Sequence, residues 1–312
     1  MADDYLTAHP TPRPVTRKGW ILAIVVLVVF SFAYFLVVRA YQVEGDLRTT
    51  DDQQSQDVAV SVTAEPIDFD ARTNALSIRF NFDVVDPDLL EEGVRLNQGI
   101  RVTINGDDGT HEFRFPQGEP IGNAEVTVGT SGEVYAYPFD QHESFFAIAV
   151  ETFERGAGGI NETTGQLSSA VKVRGAISGW DISAQLSDLG DFPIVTLDMK
   201  RAFSTKAFAF VLVMMAVAVV VLAFITSLMT VTNRRKFEVA FLTWNGAILF
   251  ALPLLRTYLP GSPPIGAAMD IYLYLWTFVI AVGSLVLMVI AWSEQRKADL
   301  LHHSRHGAGY GS

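Results

Sequence analysis

The chain has 312 residues, 49% of them hydrophobic, with 34 acidic against 23 basic side chains and no cysteine. The missing thiols exclude disulfides, thiolate metal centres and a cysteine nucleophile, and a formal net charge of −11 speaks against nucleic acid as a partner. The apolar residues are concentrated in four runs, which excludes an ordinary water-soluble globule.

Residues 1–18 read as a disordered cytoplasmic tail that ends in the basic residues Arg13, Arg17 and Lys18. Residues 19–40 are the first predicted transmembrane helix, with its apolar stretch from Trp20 to Val38. A cleavable signal peptide is the competing reading. That apolar core exceeds the usual length of about 7–15 residues, and Leu36-Val37-Val38-Arg39-Ala40-Tyr41 lacks the small-residue cleavage pattern. Arg39 is followed by Glu44, Asp46, Asp51 and Asp52, so the positive-inside rule sends the following segment out of the cell.

Residues 41–203 form the predicted extracytoplasmic domain, with 28 acidic against 11 basic side chains and a local balance of −17. Leu76, Ile78, Phe80, Phe82 and Val84 alternate with polar residues, a period of two that gives a strand one apolar and one wet face. The same alternation recurs around Val60, Val102, Phe113, Val126, Ile148, Val171 and Ile194. Turn residues separate the runs at 105–109, 116–118, 156–159 and 188–190, and a short helix fits 88–93. Many short strands without a long amphipathic helix predict an antiparallel β-sandwich.

Residues 204–297 hold three more predicted spans, with apolar runs Ala207–Thr230, Val239–Leu255 and Ile271–Trp292. Arg234, Arg235 and Lys236 follow the second span and Arg296 and Lys297 the fourth, so both ends are cytoplasmic and the Arg256–Asp270 connection returns to the outer face. Pro260, Pro263 and Pro264 stiffen that connection, and Asp270 sits where the positively polarised start of the fourth helix favours a carboxylate. No Asp, Glu, Lys or Arg lies mid-membrane, and such groups build proton relays and many ion paths. Asn245 reads as an interhelical hydrogen-bonding residue, and Ala223 with Ser227, like Thr277 with Ala281, has the small-xxx-small spacing of close helix contact. Residues 298–312 read as a disordered cytoplasmic tail, His302, His303 and His306 included. The fold class is thus a membrane protein, β plus transmembrane α: one N-terminal span, an outer sandwich and three C-terminal spans.

Catalytic chemistry finds no foothold. His142-Glu143 lacks the second histidine that shares a zinc ion at helical spacing. The oxygen-rich Asn105-Gly106-Asp107-Asp108-Gly109 lacks the spaced ligands of a calcium loop and reads as a hairpin turn. Neither a Gly-x-Ser-x-Gly elbow nor a phosphate loop is present. No catalytic, cofactor or metal residues are assigned.

Two segments go further. Phe115-Pro116-Gln117-Gly118 through Tyr137-Pro138-Phe139-Asp140, together with Ala251-Leu252-Pro253-Leu254-Leu255-Arg256 and Leu259-Pro260-Gly261-Ser262-Pro263-Pro264-Ile265-Gly266 up to Asp270, resemble an uncharacterised actinobacterial family of multi-pass membrane proteins, a domain of unknown function. The resemblance spans about Val58 to Trp292, and Gln141-His142 departs from the family's usual basic or aromatic pair. More weakly, Tyr137-Pro138-Phe139-Asp140, then Trp180-Asp181-Ile182 and Leu197-Asp198-Met199-Lys200-Arg201 running into a span, is similar in order to pentameric ligand-gated channel receptors, whose extracellular sandwich meets the membrane through a Pro-Phe-Asp loop. The chain departs from those receptors in having a span before the sandwich, three after it, no cysteine pair and no polar pore-like helix.

That likeness implies a bilayer-facing turn at 137–140, with Phe139 against the outer helix ends and Asp140 near Arg201 or Lys200, and near Arg256. The expected function is a non-enzymatic plasma-membrane protein, both termini cytoplasmic, presenting an acidic sandwich as a binding, scaffold or accessory module. Its expected partners are the lipid bilayer and an envelope protein or further copies of itself. A ligand-sensing channel-like assembly and a lipid-handling accessory of an envelope transport complex are the alternatives.

Overall fold

The computed structural model describes residues 17–43, 58–91, 93–155, 161–189 and 192–307. The tails 1–16 and 308–312, the segment 44–57 and the turn expected at 156–159 lie outside the described residues. Helix α1 (Arg17–Val43) covers the first apolar run. The strands follow as β1 (Val60–Asp70), β2 (Ala75–Val84), β3 (Leu90–Glu91), β4 (Arg95–Leu96), β5 (Gly99–Gly106), β6 (Gly109–Phe115), β7 (Asn123–Gly129), β8 (Ser131–Gly132), β9 (Gln141–Arg155), β10 (Asn161–Leu167), β11 (Ser169–Val173), β12 (Trp180–Leu189) and β13 (Phe192–Arg201). Helices α2 (Phe203–Val231), α3 (Val239–Thr257) and α4 (Leu275–Gly307) complete the chain.

Two sheets face each other in a β-sandwich. One has the order β11-β1-β2-β7 and the other β12-β13-β9-β5-β6, with β8 and β10 also pairing with β9. The apolar phase of each strand turns inward, as the alternation requires: Leu76, Ile78 and Phe80 of β2 meet Ile100 and Ile104 of β5, Phe146 and Ile148 of β9 and Leu197 and Met199 of β13, all fully buried. Phe80 and Phe146 join the sheets edge to face with centroids 5.3 Å apart. Each such side chain contributes about 1.5–3 kcal/mol by leaving water.

The sandwich departs from the antiparallel expectation at one edge. β11 pairs with β1 in parallel, Val60 opposite Ser169 through Ala64 opposite Val173. β10 folds back on β9 in the larger sheet, and the chain then switches sheets at Ser168, whose Oγ and carbonyl receive the Ala59 amide. Period-two alternation is the same in parallel and antiparallel strands, so strand direction was not legible from the pattern. The short helix expected over 88–93 is a single 3-10 turn at Pro87–Leu89, capped by Asp86, and the chain then extends into β3.

Among the described residues three helices are long and apolar enough to cross a membrane: Phe203–Val231, Val239–Thr257 and Asp270–Lys297. α2 packs on α4 and α3, and α1 lies against α2. A π turn at Asp270–Tyr274 leads into α4. α4 then runs on to Gly307, so residues 298–307 are helical and not the disordered tail expected. Ala298, Leu300 and Leu301 favour helix, and Gly307 marks its end.

Candidate functional site at the seam of sandwich and helices

β13 passes into α2 through a single residue, Ala202. Along β13, Val195, Leu197 and Met199 point inward, so Arg201 follows in the same phase while Lys200 faces out. β9 is antiparallel to β13, with Gln141 opposite Lys200 and His142 opposite Met199. The residue just before β9, Asp140, therefore stands beside Arg201 at the end of the sheet that meets the helices. β12 adds Trp180 on the other side, directly opposite Arg201.

These residues make a buried ion pair inside an aromatic box. Arg201 Nε donates to both oxygens of Asp140, at 3.1 Å to Oδ1 and 3.0 Å to Oδ2, and the two residues are only 4% and 1% exposed. The Arg201 guanidinium carbon lies 3.9 Å from the Trp180 ring centroid and 5.3 Å from that of Tyr137, a cation–π arrangement that desolvation strengthens. His142 Nε2 lies 3.4 Å from Asp140 Oδ2. An ionised carboxylate can only accept, so that nitrogen carries the hydrogen. The imidazole is held edge to face by Phe69 and Trp180. Two glycines make room: a Cβ at Gly132 would collide with the His142 ring, and one at Gly261 with Arg201 Nη1. Gly261 also needs its positive φ of 74°, which glycine alone adopts without strain.

The turn before Asp140 fastens the sandwich to the helices. The Tyr137–Pro138 peptide is cis, and both residues are buried. Tyr137 packs against Ala209 and Val213 of α2 and against Leu259, Ala267 and Met269 of the outer loop. Its hydroxyl is buried without a hydrogen-bond partner, and burial pushes the phenol pKa well above its ordinary value. Phe139 is exposed and meets Phe210 of α2 at 6.0 Å between centroids.

Arg256 and Asp270 clamp the outer loop between α3 and α4. Arg256 Nη2 donates to Asp270 Oδ2 at 2.8 Å and to the carbonyls of Pro263 and Pro264 at 2.9 Å each, and Nε donates to Asp270 Oδ1 at 3.2 Å. The Gly266 amide donates to the same carboxylate. Charge-assisted, two-pronged pairing of this kind fixes geometry as well as charge. Asn245 lies in the helices, far from the seam in sequence and in chemistry. Its Oδ1 accepts from Ser284 Oγ at 2.6 Å, Ser284 Oγ meets Ser227 Oγ at 2.9 Å, and its Nδ2 donates to the Phe241 carbonyl at 2.8 Å. One chain of hydrogen bonds thus ties α2, α3 and α4.

Sequence reasoning nominated Tyr137, Pro138, Phe139, Asp140 and Arg201, and the structure brings these five together. Arg256, Pro263, Pro264 and Asp270 form a separate clamp one loop away. Trp180, His142, Phe69, Gly132 and Gly261 were not nominated. The apolar phase shared by His142, Ser144, Phe146 and Ile148 was the available signal for His142; Trp180 and Gly261 stood within the segments that carry the resemblances, and Phe69 and Gly132 carried no signal. Among the described residues no group of three or more histidine, aspartate or glutamate side chains is placed to hold a metal ion.

Residues 49–199 match the family model described as Domain of unknown function (DUF4436), and residues 201–295 that described as Domain of unknown function (DUF8686). The boundary between the two matches falls at Lys200, one residue before the buried arginine. Comparison with curated proteins yields no match.

Proposed function

We propose that this chain is a non-enzymatic multi-pass plasma-membrane protein that holds an acidic β-sandwich outside the cell as a binding, scaffold or accessory module. On this reading α1 is an uncleaved first span, both termini are cytoplasmic, and the partner is another envelope protein or a further copy of the chain. The observation that carries it is the mount: a one-residue strand-to-helix junction locked by the buried Asp140–Arg201 pair. Such a junction suits a domain held at a fixed height above the bilayer. The filled sandwich core supports a protein partner over a lipid cargo, because a lipid carrier needs an apolar cavity. A presenting face is available where Asp107, Asp108, Glu143 and Phe145 surround a hollow of about 630 Å³.

Mild cross-linking of the full chain in its native membrane, followed by purification, tests this reading. The expected result is a discrete complex that is lost when Asp107, Asp108 and Glu143 are changed to their amides. A chain that stays monomeric and partnerless, or that conducts ions when reconstituted in vesicles, overturns it. Reporter fusions at Asp52, Arg235 and Ser312 test the orientation, and an exported signal at Arg235 defeats it.

A further inference from the structure

A cavity of about 350 Å³ opens at the seam, beside the ion pair, between the end of β13, the start of α2 and the outer loop. Its floor is made of the buried residues Arg201, Ser204 and Thr205, and its rim of the exposed Ser178, Phe208 and Gly261. Asp140 engages only Nε of Arg201. The opposite end of the guanidinium, Nη1, lies against Gly261 in the cavity wall, so closely that no side chain fits between them. Arginine presents its donors as a planar fork matched to phosphate oxygens, and the terminal nitrogens are the part of that fork that Asp140 leaves to the cavity side.

Two further features agree with an anion here. Ser204 and Thr205 belong to the first turn of α2, a 29-residue helix whose N-cap, Ala202, makes no side-chain capping bond. The positive end of the helix dipole therefore adds to the guanidinium charge. The depth is also defined: α2 begins at Phe203 but its continuous apolar run begins at Ala207, which puts this first, polar turn at the level of the outer headgroups. Phe208 gives the rim an exposed apolar side.

We propose that this cavity binds a phosphate group at headgroup depth, held by the terminal nitrogens of Arg201 and by the first turn of α2, with Ser178 at the entrance. The phosphate comes from a phospholipid headgroup or from free phosphate, which present the same oxygens to the site. The inference rests on α2 crossing a membrane, which sedimentation of the unaltered chain with membranes tests separately from binding.

The experiment uses the full chain, delipidated in detergent, with three probes: dioctanoyl phosphatidylglycerol, dioctanoylglycerol with the same tails and no phosphate, and sodium phosphate. Native mass spectrometry reads occupancy. The expected result is one phosphatidylglycerol per chain, bound at least tenfold more tightly than dioctanoylglycerol. Ser178→Glu, which sets a carboxylate at the entrance without touching the ion pair, weakens it at least tenfold, and Ser187→Glu, on the exposed side of β12, leaves it unchanged. Displacement of the lipid by sodium phosphate at equal concentration assigns the site to the free ion, and failure to displace it assigns the site to the lipid. Equal affinity for dioctanoylglycerol and phosphatidylglycerol overturns the proposal in the unaltered chain alone, as does unchanged binding by Ser178→Glu.

Discussion

The seam and the interior between the helices solve one problem, fastening elements that share little sequence, with opposite chemistry. At the seam a carboxylate and a guanidinium are buried 3.0 Å apart under aromatic rings. Between the helices the work is done by neutral groups: Ser284 gives its proton to Asn245, so Ser227 must give its own to Ser284. The difference follows from the surroundings. At the seam the backbone of a sheet, His142 and nearby polar residues share the cost of burying charge, whereas the apolar packing between the helices offers no such company and penalises any ion that lacks it. Hydroxyls and amides cost less to bury and still give direction, which apolar packing alone does not.

The largest test of this contrast is Asp140→Asn. It leaves Arg201 charged and buried with a neutral partner, so the cost should be about 3–5 kcal/mol, read as a lower melting temperature and faster proteolysis at the Ala202 junction. The double variant Asp140→Asn with Arg201→Met should recover most of that loss, since removing both charges removes the burial penalty too. Additive losses in the double variant would mean that the pair is not coupled.

Between the helices the effect should be smaller. Ser284→Ala removes both hydroxyl links to Asn245 and Ser227, and about 1–2 kcal/mol is the expected loss in detergent unfolding. A loss as large as that of Asp140→Asn would erase the contrast between charged and neutral fastening.

Tyr137→Phe should change least. The hydroxyl it removes has no hydrogen-bond partner, so stability at neutral pH should hold or rise by up to about 1 kcal/mol. The difference appears in alkali. Burial raises the phenol pKa in the folded state, so above about pH 10 the unfolded chain sheds a proton that the folded chain retains, and stability falls as pH rises. Comparing the melting temperatures of the two proteins from pH 9 to 11 isolates this contribution, and parallel curves would show that Tyr137 is not the group responsible.

Much of the architecture was legible because it depends on local periodicity. Apolar runs of membrane length located α2, α3 and the start of α4, and alternation located β1, β2, β5, β6, β7, β9, β11 and β13. The same alternation, carried from Val195 through Met199, selects Arg201 over Lys200 as the inward cation. Tertiary structure alone decided what periodicity does not encode. The parallel edge of β11 on β1 depends on a sheet-switching connection, and a period of two has no direction. The aromatic box depends on register, which brings Phe69, His142, Trp180 and Arg201 together from four strands. The requirement for glycine at 132 and 261 comes from rings and charges distant in sequence, so only the packed seam shows why no other side chain fits there.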